Sequence, residues 1–173
     1  MKLLCIFFLT LFFVLSCAAQ ETCGLEAKEA PALLGLKLGI APAQAQGVFG
    51  KDLKIKNKRK GEYTFFQNFI EKPPPNSLAG VRALYLRFFD GSLYQIEVFY
   101  EEKSQLQTLE AFTAMLSSKW NFPVSLWITA QGKARIDCGE LTLVADNVLN
   151  PRIEITNESD RARVEARRKR KND

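Results

Sequence analysis

The sequence predicts an α+β fold: an antiparallel β-sheet with one short and one long helix packed on one face. Three observations predict it. Residues 81–100, VRALYLRFFDGSLYQIEVFY, alternate apolar and polar on both sides of Asp90-Gly91, the mark of two half-buried strands joined by a tight turn. Leu106, Leu109, Phe112, Met115 and Leu116 recur at helical spacing ahead of Pro123, which forbids continuation. Short runs at 124–128, 133–138, 141–145 and 152–156 are separated by turn signals at Gly132, Gly139 and Asn150-Pro151.

The first elements in chain order are short. Leu36 and Leu38 suggest a brief strand. Pro42 suits the first turn of a short helix and Gly50 its end, with Ile40, Ala45, Val48 and Phe49 as a small apolar stripe. Residues 51–60, KDLKIKNKRK, hold six basic groups and one acid, and Leu53 and Ile55 alternate with lysines. That is the pattern of an edge strand protected by charge, with a patch for anionic lipid or polyanion as the functional alternative. Tyr63, Phe65, Phe66 and Phe69 predict a further strand, and Pro73 to Pro75 an extended connection that cannot lie inside a sheet.

The hairpin register follows from its loop. A two-residue Asp90-Gly91 loop sets Leu86 against Gln95 and Leu84 against Glu97, mixing polar groups into the apolar face. A three-residue loop, Phe89-Asp90-Gly91, sets Leu86 against Tyr94 and Leu84 against Ile96 and keeps both apolar sets together. Because a one-residue slip inverts a strand, the three-residue loop is expected, with Gly91 at the left-handed position of a bulge. Beyond the hairpin, Ser104 and Gln107 form a capping box for the long helix. A helix-then-strands order thus occurs twice, from about 40 to 100 and from 104 to 157.

The predicted organisation is a signal peptide over 1–19, a spacer over 20–35, a single domain over 36–157 and a basic disordered or frayed-helix tail over 158–173. The leader has a cationic Lys2, an apolar run from Leu3 to Leu15 broken only by Thr10, and small residues at Ser16 to Ala19. Val14-Leu15-Ser16-Cys17 resembles a bacterial lipobox, so two routes are open: lipidation of Cys17, or ordinary cleavage near Ala19 that leaves no anchor. Either route places the chain in the cell envelope, as a periplasmic or outer-surface protein, or secretes it. There a disulfide is permitted. With Cys17 lipidated, Cys23 and Cys138 are the remaining pair; they are either bridged or two free thiols.

Gly35, Leu36, Leu38, Gly39, Ile40, Ala45, Phe49 and Gly50, followed by short strands, resemble the start of small exported bacterial proteins with the β-lactamase-inhibitor-protein-like or SmpA/OmlA-like fold. The later LRFFDGSLYQIEV and RIDCGEL segments are similar to uncharacterised secreted bacterial proteins that carry this motif. Ala41 departs from the usual Ser or Thr cap. The resemblance implies a helix-plus-antiparallel-sheet fold used for protein binding, and it transfers no catalytic residue.

The chemistry is bounded by what the chain lacks. Without histidine there is no Ser-His-Asp triad, Cys-His pair or HExxH zinc site, and no P-loop, nucleophile elbow or dinucleotide fingerprint occurs. No cofactor or metal is therefore expected, and no catalytic role. The formal net charge is +5, but residues 161–173 alone hold seven basic and two acidic groups. The folded part is near neutral, which argues against nucleic acid as a partner. The expected function is an exported, non-catalytic protein-binding or envelope-assembly module. Tyr85, Arg87, Gln95, Glu97 and Phe99 on the solvent face of the sheet form its partner surface. The alternative is binding of anionic lipid or polymer through Arg161, Arg163, Arg167, Arg168, Lys169, Arg170 and Lys171. An unrecognised hydrolase is a third, weaker reading.

Overall fold

The computed structural model describes residues 23–49, 56–59, 61–70, 78–101, 108–148 and 150–170. The leader with Cys17, the Leu53–Ile55 segment, Pro73 to Pro75, the Ser104/Gln107 pair and Lys171 lie outside them.

The fold is α+β. Helix α1 (Pro42–Phe49) precedes strands β1 (Lys56–Arg59), β2 (Glu62–Asn68), β3 (Val81–Phe89) and β4 (Ser92–Tyr100). Helix α2 (Leu109–Trp120) precedes β5 (Ile128–Ala130), β6 (Lys133–Cys138), β7 (Leu141–Asp146) and β8 (Arg152–Asn157), and helix α3 (Glu158–Lys169) closes the chain. The strands form one sheet in the order β1-β2-β3-β4-β8-β7-β6-β5, every described pairing antiparallel. Each half is a helix followed by a four-stranded meander, and the halves join through their last strands, β4 and β8. The repeated element order of the sequence is thus a repeated topology.

Alternation decides which face is filled. Leu84, Leu86, Ile96, Val98, Ile136, Leu143, Ile153 and Ile155 are at most 1% exposed and share one face. Phe112 and Leu116 of α2 and Ala45 of α1 pack into the same core, with Leu109 and Met115 at its margin. Burying side chains of this size stabilises by roughly 1.5–3 kcal/mol each. Val48, expected in the α1 stripe, is instead 42% exposed. Ala41 offers no capping side chain, but Gln44 supplies the reverse half of a capping box, its Oε1 accepting from the Ala41 N–H at 2.8 Å. The described α2 starts after Thr108, whose Oγ1 accepts from the Ala111 N–H at 3.1 Å, and ends at the left-handed Asn121 before Pro123.

Further expectations are corrected. The hairpin loop has two residues, not three: Phe89 pairs with Ser92, and Asp90 and Gly91 both take positive φ, 47° and 84°. This is the primed turn whose twist suits a hairpin. A bulge between Arg87 and Phe88 on one strand and Leu93 and Gln95 on the other restores the register, so Leu86 meets Ile96 and Leu84 meets Val98. The apolar sets still share a face, but Tyr94 turns to the opposite one. Val124–Leu126 is a 3-10 turn rather than a strand, held by Trp127, whose indole donates to Ser117 Oγ at 2.9 Å. Leu36 makes an isolated bridge with Leu33 rather than a strand. Finally, residues 158–169 are neither a disordered nor a frayed tail. They form α3, which packs on the face of the sheet opposite α1 and α2, with Val164 only 2% exposed against Phe89 and Tyr94.

Cys23 and Cys138 are bridged, 115 positions apart in the chain. Closing so long a loop stabilises by about 4–5 kcal/mol through chain entropy. The bridge pins the N-terminal arm, whose Ala30, Leu33, Leu36 and Leu38 belong to the core. Gly139 lets the arm pass: a Cβ there would stand 3.2 Å from the Leu25 carbonyl oxygen. Among the described residues no helix is long and apolar enough to cross a membrane.

Candidate functional site: the outer face of the sheet

The face away from α1 and α2 is ordered by the strand register. One row runs Phe66, Tyr85, Glu97, Glu154, Val144, Arg135 across β2, β3, β4, β8, β7 and β6. The next runs Thr64, Arg87, Gln95, Thr156, Thr142, Asp137, and on the other side lies Ala83, Phe99, Arg152, Asp146, Lys133. All five residues expected to form a partner surface therefore stand on one face. They differ in access. Gln95 and Glu97 are 5% and 7% exposed, whereas Tyr85, Arg87 and Phe99 are half-buried.

Two groups make up this face. The first is aromatic. Phe66 stacks on Tyr85 with ring centroids 4.1 Å apart, Phe99 meets Tyr85 edge-on at 5.9 Å, and the Arg152 guanidinium lies 5.8 Å from the Phe99 centroid. Phe66 is 50% exposed, so the cluster is open to solvent. The second is a polar ladder. Arg87 donates to Gln95 Oε1 at 2.7 Å, Gln95 donates to Glu154 Oε1 at 2.5 Å, and Thr156 donates to the same oxygen at 3.1 Å. Arg152 pairs with Glu97 at 2.6 Å and with Asp146 at 3.4 Å. These partners hold the carboxylates and the amide on the same face, beside the aromatic side chains.

Helix α3 bounds the face at its turn-proximal end. The helix starts where β8 ends, with Asn157 Oδ1 accepting from the Asp160 N–H at 3.2 Å. Glu158 and Asp160 in its first turn and Arg167, Arg168 and Lys169 in its last suit the helix dipole. It reaches across β4 and β3 to β2. There Arg167 grips Asp90 through two bonds of 2.9 and 2.8 Å, and Arg168 reaches Glu62 at 2.7 Å. Arg163 and Arg167 also lie 5.1 and 4.3 Å from the Phe89 ring centroid. Gly61 leaves room for this grip, because a Cβ there would meet Asp90 Oδ1 at 2.6 Å and Arg167 Nη1 at 2.7 Å. Between the helix and the open face runs a groove of ≈ 240 Å³ lined by Arg87, Tyr94, Gln95, Glu154, Arg161 and Arg168 among others.

The tail cations are thus largely engaged within the chain. Arg161 pairs with Glu158 and Glu165 at 3.4 and 3.5 Å, and Arg163 with Asp160 at 2.8 Å. Arg170 donates to the Ala166 carbonyl at 3.4 Å. Lys169 lies exposed in the last turn.

Titration reflects this pairing. The Arg167 hydrogen bond holds the Asp90 carboxyl below its ordinary value, and the Arg135 hydrogen bond does the same for Asp137. Burial raises the Tyr94 hydroxyl, and in the core pushes Tyr100 up to about 12. Each shift moves its group away from neutral pH, toward a fixed charge state.

No family model matches the chain, and no curated protein matches it. Among solved structures, a DUF4309 family protein, YjgB from Bacillus subtilis subsp. subtilis str. 168, aligns at 14% identity over 76% of this chain and 89% of that one. Its TM-score of 0.34 is too low to carry the fold or the function.

Sequence reasoning did not join Phe66, Arg152, Glu154 and Asp146 to this face, although alternation with Ile153 and Ile155 turns Arg152 and Glu154 to water. Phe66 could have been placed there by alternation with Phe65, which is 3% exposed in the core. The other three arrive through the β4–β8 pairing, which joins residues such as Gln95 and Glu154 across 59 positions and leaves no local mark.

Proposed function

We propose that this chain is an exported, non-catalytic protein-binding module of the cell envelope that docks its partner on the outer sheet face. The observation that carries the reading is the stacked Phe66–Tyr85–Phe99 cluster with Arg152 beside it. It lies on the part of the face that α3 leaves open. Aromatic residues with arginine are enriched where protein surfaces meet. The ring contacts among Phe66, Tyr85 and Phe99, with Arg152 beside Phe99, hold these side chains in place before a partner arrives, which lowers the ordering cost of binding.

The signal-like leader and the Cys23–Cys138 bridge support export, since such bridges persist in oxidising compartments. A lipid on Cys17, six positions before Cys23, would hold the domain close to a membrane surface. The resemblance of the Gly35–Gly50 motif to exported binding folds points the same way.

The test is capture of envelope proteins by the mature chain in a pulldown, with Tyr85→Ser and Phe99→Ser combined. The pair is expected to abolish capture of a partner that the unaltered chain retains, with the sheet still folded by circular dichroism. Undiminished capture by the folded double variant would refute this surface.

A further inference from the structure

We propose that α3 is a releasable cover: an autoinhibitory helix that closes the turn-proximal end of the docking face and is held there by arginines that a competing polyanion can claim. The inference rests on the docking-face reading for its purpose, but not for its mechanism.

The holding contacts are unequal. Among the described residues of α3, only Val164 is buried, between Phe89 and Tyr94. Electrostatic contacts span from α3 to the β2–β3–β4 region: Arg163 and Arg167 on Asp90, Arg168 on Glu62, and the two guanidiniums over Phe89. The Asp90 pairs are exposed, screened by salt and individually weak; Glu62 is 5% exposed beneath Arg168, so that pair is the stronger hold. The helix is only 12 residues long. A helix of that length is marginal in water without tertiary support, so undocking and melting occur together. The sheet is secured differently, by an apolar core on its other face.

Release changes two surfaces at once. Phe89 and Tyr94, now 2% and 6% exposed, come into the open beside Arg87 and extend the aromatic surface toward the turn. Arg163, Arg167 and Arg168 part from Asp90 and Glu62 and can turn to phosphate groups. A polyanion that binds these arginines only in the open form must favour that form by its differential affinity. By linkage, a partner that needs Phe89 and Tyr94 then tightens polyanion binding by the same factor. The cationic segment is therefore a control element of the docking face rather than a free arm.

Hydrogen exchange of the full mature chain tests this without any partner, so its failure is separate from failure of the pulldown. The probe is inorganic polyphosphate at constant low ionic strength. Amides of residues 160–169 are expected to exchange at least 10-fold faster with polyphosphate, with β3, β4 and β8 amides unchanged. Asp90→Asn combined with Glu62→Gln is expected to give the same acceleration with no polyphosphate. Helix amides that exchange only together with sheet amides, or polyphosphate that binds while α3 stays protected, would overturn the proposal.

Discussion

Asp90 and Gly91 show how two residues set the geometry of a whole face. Both occupy the left-handed region, φ 47° and 84°, and the bulge that follows sends Tyr94 to the outer face. Asp90 accepts the arginines of α3 from the same turn. Nothing lies within 4 Å of a Cβ built on Gly91, so an added methyl meets no clash and its cost is conformational. Gly91→Ala is expected to lower stability by roughly 1 kcal/mol or more, read as a lower urea midpoint at unchanged slope; an unchanged midpoint would contradict the turn described. The facing of Leu84, Leu86, Ile96 and Val98 was legible from alternation alone. The place of the bulge, at Tyr94 rather than at Gly91, was not, because a three-residue loop satisfies the same alternation and the difference lies in where Tyr94 goes. What draws Tyr94 outward is Val164, 70 positions later.

At the scale of elements, α3 is where pattern reading and structure part. Its sequence, ESDRARVEARRK, offers one apolar side chain that becomes buried, so no amphipathic stripe announces a docked helix. The missing information is long-range: the ion pairs that seat the helix join residues 73 to 106 positions apart. The Asn157 cap and the acidic-to-basic order along the helix were the local signs. The corrected 124–126 segment has a similar cause, since Trp127 is anchored to Ser117 of α2. By contrast α1, α2 and the strands at 133–138 and 152–157 were legible, because each carries its own periodicity.

The docking of α3 has a pH dependence with a defined sign. Arg167, helped by Arg163, holds Asp90 below its ordinary value of 3.8. A depressed carboxyl contributes stability that is fully present above the unfolded value and is lost as pH falls through the folded one. The Val164 methyl resonances are therefore expected to hold constant from neutral pH to about 5 and to shift toward exposed values only below 3.8. A transition centred near neutral pH would contradict this electrostatic account.

On the scale of the molecule, the two faces of the sheet have different tasks. One is sealed by α1, α2 and the disulfide-pinned N-terminal arm, and it supplies the stability. The other carries α3 at one end and an aromatic cluster toward the other, with an ordered polar ladder beside the cluster. Five residues of that second face were readable in β3 and β4, and alternation turned Arg152 and Glu154 of β8 to water; the joining of β8 and β7 to that face was not readable, because it depends on the two halves meeting at their last strands. The account places recognition on the half-open face and none on the helical side. The most direct measurement puts the photo-crosslinker p-benzoylphenylalanine at Phe66 on the outer face, and separately at Ala114 on the exposed side of α2, in the producing cell. The account predicts a discrete protein adduct from position 66 and none from position 114. An adduct that forms from position 114 and not from position 66 would contradict it.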